Sequence, residues 1–142
     1  MSAQADFYLI VGERFRAQPL LLVAKLAQKA YATGKPTLVL ARDAAQAEAL
    51  DDQLWDMGDD EYIPHQIAGT DEDEEEADVL IVPPGVDVPM RPLVINLRDA
   101  AVDGGFERVL EVVPADESAR GPLRERWKQY QAAGLAVHKH DM

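Results

Sequence analysis

Short apolar runs punctuate this chain, and segments with helical periodicity separate the first of them. That alternation constrains the fold more than any single motif. Phe7-Tyr8-Leu9-Ile10-Val11 is continuously apolar, as a strand buried on both faces must be. From about Pro19 to Thr33 the period becomes helical. At about 100° per residue, Leu20, Val23, Leu26, Ala27, Ala30 and Tyr31 share one face, with Lys25, Gln28 and Lys29 opposite. Pro19 suits a first turn, where its missing N–H costs nothing. Gly34 is placed to end the helix. Thr37-Leu38-Val39-Leu40 predicts a second strand. Asp43 then predicts an N-cap, with Gln46 completing a variant of the capping box. Ala47, Leu50 and Leu54 form the inner stripe of that helix, and Trp55 falls at its edge. Strand, helix, strand, helix at this spacing implies parallel strands and a right-handed crossover.

After Gly58 the pattern becomes irregular. Tyr62-Ile63-Pro64-His65 is an apolar island ahead of six consecutive carboxylates, Asp71 to Glu76. Mutual repulsion predicts a mobile acidic loop over about residues 70–77. Further strands are predicted at Val79–Val82, Leu93–Leu97 and Val109–Val113, with proline-rich turns between them. A last helix is predicted from Glu117 to Ala133, stopped by Gly134, with Leu135-Ala136-Val137 as a short closing edge strand. A length of 142 residues predicts one domain, residues 1–142. Its expected class is α/β, a mostly parallel Rossmann-like sheet flanked by helices. The apolar runs are too short to span a bilayer. Met1 to Asp6 has neither the basic start nor the apolar stretch of a secretory signal. With no cysteine in the chain, disulfides and thiolate chemistry are excluded. The expected location is the cytoplasm.

An α/β chain invites a search for nucleotide and catalytic motifs. Gly12-Glu13-Arg14-Phe15-Arg16 follows the first strand without the clustered glycines a pyrophosphate needs. Gly34-Lys35-Pro36-Thr37 has phosphate-loop residues in the wrong context, after a helix and before a strand. Pro36 also lacks an N–H that such a loop would use. The only serines are Ser2 and Ser118, and neither sits in a nucleophile elbow. His138 and His140 could share one side of an edge strand, but no third ligand accompanies them. A solvated tail is the expectation there. No catalytic residue, metal or cofactor is therefore predicted. A small nucleotide-binding enzyme or sensor, using the crevice at the strand ends, stays as the alternative.

The net charge is −12, which opposes direct binding to nucleic acid, because that binding rests on cations replacing counterions. Against this background the last helix stands out. Arg120, Arg124, Arg126 and Lys128 are four of the fourteen basic residues, gathered into nine positions. On a helical wheel Arg120, Arg124, Trp127, Lys128 and Gln131 share an arc of about 100°, while Leu123, Tyr130 and Ala133 point inward. The stripe is either a solvated amphipathic face or a cradle for an acidic peptide with an aromatic residue. Pattern alone leaves both open. A second patch, Trp55, Met57, Tyr62, Ile63 and Pro64, is either a satellite of the core or an exposed partner surface.

Asp6-Phe7-Tyr8-Leu9, Leu54-Trp55, Tyr62-Ile63-Pro64-His65-Gln66-Ile67-Ala68-Gly69 and Arg124-Glu125-Arg126-Trp127-Lys128-Gln129-Tyr130 with Ala133-Gly134-Leu135 together resemble the chi subunit of bacterial DNA polymerase III. The resemblance runs from about Phe7 to Leu135. It implies a nucleotide-binding-like fold without a nucleotide site, and an adaptor in place of an enzyme. It implies pairing with the psi subunit of the clamp-loader complex, or with a repair helicase in place of psi. It also implies binding to the acidic C-terminal tail of single-stranded DNA-binding protein, which ends in Pro-Phe. By position, the tail residues would be Val113, Arg120, Arg124, Trp127, Lys128, Gly134 and Leu135. The partner surface would be Trp55 and Tyr62, with Ile63 and Pro64 adjacent. Arg120 and Trp127 stand where the family pattern has lysine and tyrosine, which keeps charge and aromaticity.

Overall fold

A computed structural model describes residues 3–56, 63–69, 77–102 and 104–142. In chain order the elements are β1 (Gln4–Leu9), α1 (Glu13–Ala17), α2 (Pro19–Ala32), β2 (Thr37–Leu40), α3 (Ala44–Trp55), β3 (His65–Ile67), β4 (Val79–Val82), β5 (Leu93–Asn96), β6 (Arg108–Val113), α4 (Arg120–Ala132) and β7 (Ala136–Asp141). A single 3-10 turn, Glu117–Ala119, leads into α4. The strands form one seven-stranded sheet in the order β3-β4-β2-β5-β6-β1-β7. Every pairing in it is parallel. This is the α/β, Rossmann-like architecture expected of the alternating pattern.

Parallel strands need helices over both faces, so central strands have no wet side. All four residues of β4 and all four of β5 are buried. Alternate residues feed two cores. Val39, Val79, Ile81 and Ile95 pack under α2 and α3. Leu38, Leu80, Val82 and Val94 join Phe7, Val113 and Tyr130 on the face that α4 covers. Two helix signals act as read. Gly34 ends α2 at φ +76°, and Asp43 caps α3 by accepting from the Gln46 N–H at 2.7 Å. Gln46 Oε1 accepts from the Arg42 N–H at 2.7 Å, one residue before the cap, so the box reaches further back than its usual form.

Several boundaries differ from the sequence expectation. β1 begins at Gln4 and ends at Leu9, while Val11 lies beyond it and is 55 % exposed. The buried Asp6 hides this strand start from a search for apolar runs. α1 and β3 were not foreseen, because neither carries a buried stripe. Tyr31 is exposed, whereas Leu22 and Ala24 are buried in its stead. The C-terminal residues are no solvated tail. They form the six-residue β7 against β1, held by a His140–Asp6 contact of 2.9 Å and by His140 stacked on Tyr8 at 4.8 Å. No helix among the described residues is long and apolar enough to cross a membrane. The acidic run Asp71 to Glu76 lies outside the described residues.

Candidate functional site

α4 presents the cationic stripe, and both of its ends are built to stop it there. Asp116 accepts from the Ser118 N–H at 3.0 Å and caps the turn before the helix. At the other end Gly134 takes φ +87°. Its N–H donates to Gln131 O, and the Leu135 N–H donates to Tyr130 O, each at 3.0 Å. This pair of bonds is the Schellman termination. A Cβ on Gly134 would meet no heavy atom within 4 Å. The backbone angle therefore calls for glycine there, and close approach to a neighbour does not.

Arg120, Arg124 and Lys128 are exposed, and Trp127 is half-buried against Phe7 with ring centroids 5.1 Å apart. Beside them opens a recess of about 470 Å³ lined by Leu9, Leu123, Arg124, Trp127, Lys128, Gln131 and Lys139. Its lining holds three cations, three apolar side chains and no acid, in a chain of net charge −12. Such a surface suits an extended ligand with carboxylates and one apolar group. Leu9 from β1 and Lys139 from β7 come from distant sequence, and no local pattern pointed to them.

The other expected tail residues are distributed differently. Val113 is buried at 3 % exposure, so it supports the core beneath α4 and does not wall the recess. Leu135 faces a second cavity of about 360 Å³ with Val102, Phe106, Tyr130 and Ala133. Arg120 does not line the recess. Ala133 is exposed and does not point to the core.

Arg126, which the wheel leaves off the stripe, is no surface cation: it is 3 % exposed. Its Nε lies 2.9 Å from Glu111 Oε1, and its Nη1 donates to Asp99 O at 3.0 Å. Glu111 Oε2 accepts from Asn96 Nδ2 at 2.8 Å and from the Tyr130 hydroxyl at 2.5 Å. The Val102 N–H donates to the same hydroxyl at 3.0 Å. Burial raises the Glu111 carboxyl above its ordinary value, against the opposing pull of Arg126, Asn96 and Tyr130. Burial and the adjacent Glu111 also raise the Tyr130 phenol. The network locks α4 to β5, β6 and the loop after β5. Removing Arg126 or Glu111 would leave the buried charge of the other unpaired.

The second candidate surface lies at the opposite sheet edge. Trp55 ends α3 and is 59 % exposed, with its ring edge-on to His65 at 5.2 Å. His65 Nδ1 lies 2.7 Å from Ile63 O, and Nε2 lies 3.2 Å from Asp51 Oδ1. Ile63 is 1 % exposed and packs in the α2–α3 core, which takes it off the expected partner surface. Pro64 is half-buried. Met57 and Tyr62 lie outside the described residues.

At the carboxyl ends of β2 and β4, where an open α/β sheet usually receives ligand, the Arg98 guanidinium takes up two carbonyls. Nε donates to Ala41 O at 2.8 Å, and Nη2 donates to Val82 O at 2.9 Å. Among the described residues no group of three acidic or histidine side chains could hold a metal ion.

Comparison with known proteins gives one consistent result. Residues 1–138 match the family described as DNA polymerase III chi subunit, HolC. The DNA polymerase III subunit chi of Pseudomonas aeruginosa is 32 % identical over 139 residues, covering 96 % of this chain and 95 % of that protein. The subunit of the same name from Escherichia coli is 30 % identical over 119 residues, covering 82 % and 81 %. That of Haemophilus influenzae is 28 % identical over 142 residues, covering 94 % of each. Among solved structures, the C-terminal domain of the DEAD-box protein Dbp5 superposes with a TM-score of 0.67 at 13 % identity, covering 99 % of this chain and 91 % of that one. That likeness concerns the fold alone.

Proposed function

The chain belongs to the DNA polymerase III chi subunit family, and from that premise we propose that it is a non-catalytic, single-domain adaptor of the cytoplasmic replication machinery. One arm of the adaptor binds the acidic C-terminal tail of single-stranded DNA-binding protein. The other binds psi, and through it the clamp loader, or a repair helicase in the place of psi. The observation that carries the reading is the acid-free, three-cation recess beside Trp127 on a strongly acidic protein. Arg124 is its main anchor, because a guanidinium grips a carboxylate through two parallel hydrogen bonds and an ammonium cannot. The apolar floor of Leu9, Leu123 and Trp127 suits the terminal phenylalanine. Trp55 at the opposite edge of the sheet supports the second arm. Separation across the sheet would let both partners bind at once.

Calorimetry with a synthetic tail peptide tests the first arm. Arg124→Ala should weaken binding about ten- to a hundredfold, the range for losing one side of a charge-assisted hydrogen bond. Glu125→Gln, exposed on α4 and outside the recess, is the control that should bind as the wild type does. Equal affinity for all three proteins would end the assignment. Against a nucleotide-binding enzyme or sensor, thermal shift is the discriminator, since a ligand of the folded state raises the melting temperature. ATP, GTP and NAD should each leave it unchanged. The occupation of the Ala41 and Val82 carbonyls by Arg98 favours that outcome.

A further inference from the structure

The stripe on α4 forms only one wall of the recess. The opposite side is made by the sheet edge. β7 runs parallel to β1 with Lys139 beside Phe7 and Asp141 beside Leu9. Neighbours in a parallel ladder share a face, so Val137, Lys139 and Asp141 stand on the α4 side with Phe7. His138 and His140 stand on the other side, where His140 meets Tyr8 and Asp6. Lys139 thus lines the recess with Leu9, opposite Arg124 and Lys128. Its Nζ lies 3.7 Å from Asp141 Oδ1, and both side chains are more than half exposed.

We propose that Lys139 is a specificity-determining residue of this site, and that an acidic peptide lies in the trench between α4 and β7 with its carboxylates held from both walls. The inference rests on the reading of the recess as a tail site and extends it from a helix face to a helix–strand trench. Asp141 occupies Lys139 in the free protein, and a carboxylate of the incoming peptide takes its place. Asp141 therefore competes with the ligand. A further consequence is that Arg120, which carries the same charge but lies outside the lining, contributes less than Lys139.

The test uses the full chain and a synthetic acidic peptide ending in a free phenylalanine carboxylate. Lys139→Gln should weaken binding about two- to fivefold, the scale of an exposed ion pair. Lys139→Glu should weaken it further, because it sets like charges facing each other. Asp141→Asn should strengthen it. Opposite signs from two neighbouring exposed residues cannot come from general loss of stability, and the melting temperatures should stay close to that of the wild type. Arg120→Gln should have a smaller effect than Lys139→Gln. If Arg124→Ala loses the peptide while both Lys139 variants bind as the wild type does, the trench is wrong and the α4 site stands. If Arg124→Ala also binds as the wild type does, the tail site itself is wrong and the trench falls with it.

Discussion

The two edges of this sheet are built with a different balance of apolar packing and buried charge. At the β3 edge, α3 is held by an apolar stripe of Ala47, Leu50 and Leu54, with Ile63 packed in the same core. At the β7 edge, α4 adds buried charge and hydrogen bonds to the packing of Trp127 and Tyr130 on Phe7. Glu111, Arg126, Asn96 and Tyr130 fasten it from below, and Asp6, Arg108 and His140 fasten the strand beside it. An apolar stripe positions a helix by volume and tolerates small shifts. A buried polar network is directional, and its hydrogen bonds favour one arrangement. One edge presents the exposed indole of Trp55, and the other presents a recess lined by three cations.

The largest expected effect is on the polar edge. Arg126→Ala should cost about 3–5 kcal/mol, because it strands the Glu111 carboxylate in the core. Chemical denaturation would show it, and a loss under about 1 kcal/mol would mean that the network does not hold α4 in the way described. Leu54→Ala is the matching change at the other edge, with an expected cost of about 2–5 kcal/mol from lost burial and a residual cavity. Hydrogen exchange should show that each variant loosens its own edge first. Trp55→Ala should leave stability nearly unchanged, since that side chain is mostly exposed. It should weaken psi or helicase binding by on the order of 2 kcal/mol. Unfolding of this variant would place the indole in the core.

The smallest expected effect is on pH dependence. Burial alone would raise the Asp6 carboxyl, but hydrogen bonds from His140, Arg108 and Gln4 outweigh it and hold the group below its ordinary value of 3.8. A lowered carboxyl contributes stability that is full above the unfolded value and is lost as pH falls through the folded one. Protection of β7 amides should therefore decline below about pH 3.8 in the wild type and decline less in Asp6→Asn. Protection in α3 should respond in the same way in both proteins. Glu111 has the opposite sign. Its carboxyl is raised above 4.5, so its own contribution is full below that value and is lost as pH rises through the folded one.

The central strands were legible because burial on both faces leaves a mainly apolar run, broken within β6 by Glu111. β2 and β4 have the bounds the sequence predicts, and β5 and β6 fall within one residue of them. Gly34 and Asp43 were legible because helix ends depend on neighbours in sequence. What failed was non-local. Arg126 reads as surface cation until Glu111, fifteen residues upstream, is known to lie beneath it. Ile63 reads as part of an exposed island until the α2–α3 core closes over it. β7 reads as a polar tail because its polar side chains find partners on β1. For the recess, the sequence supplied the α4 wall, but Leu9 and Lys139 enter only once β1, β7 and α4 are brought together.

The central claim is that two separate surfaces at opposite edges of one sheet serve two partners at the same time. It is tested most directly by measuring tail-peptide affinity on the free protein and on the protein saturated with psi or the helicase that takes its place. The account predicts the same affinity in both states and a complex containing one copy of each component. Release of the peptide when the second partner binds would contradict it.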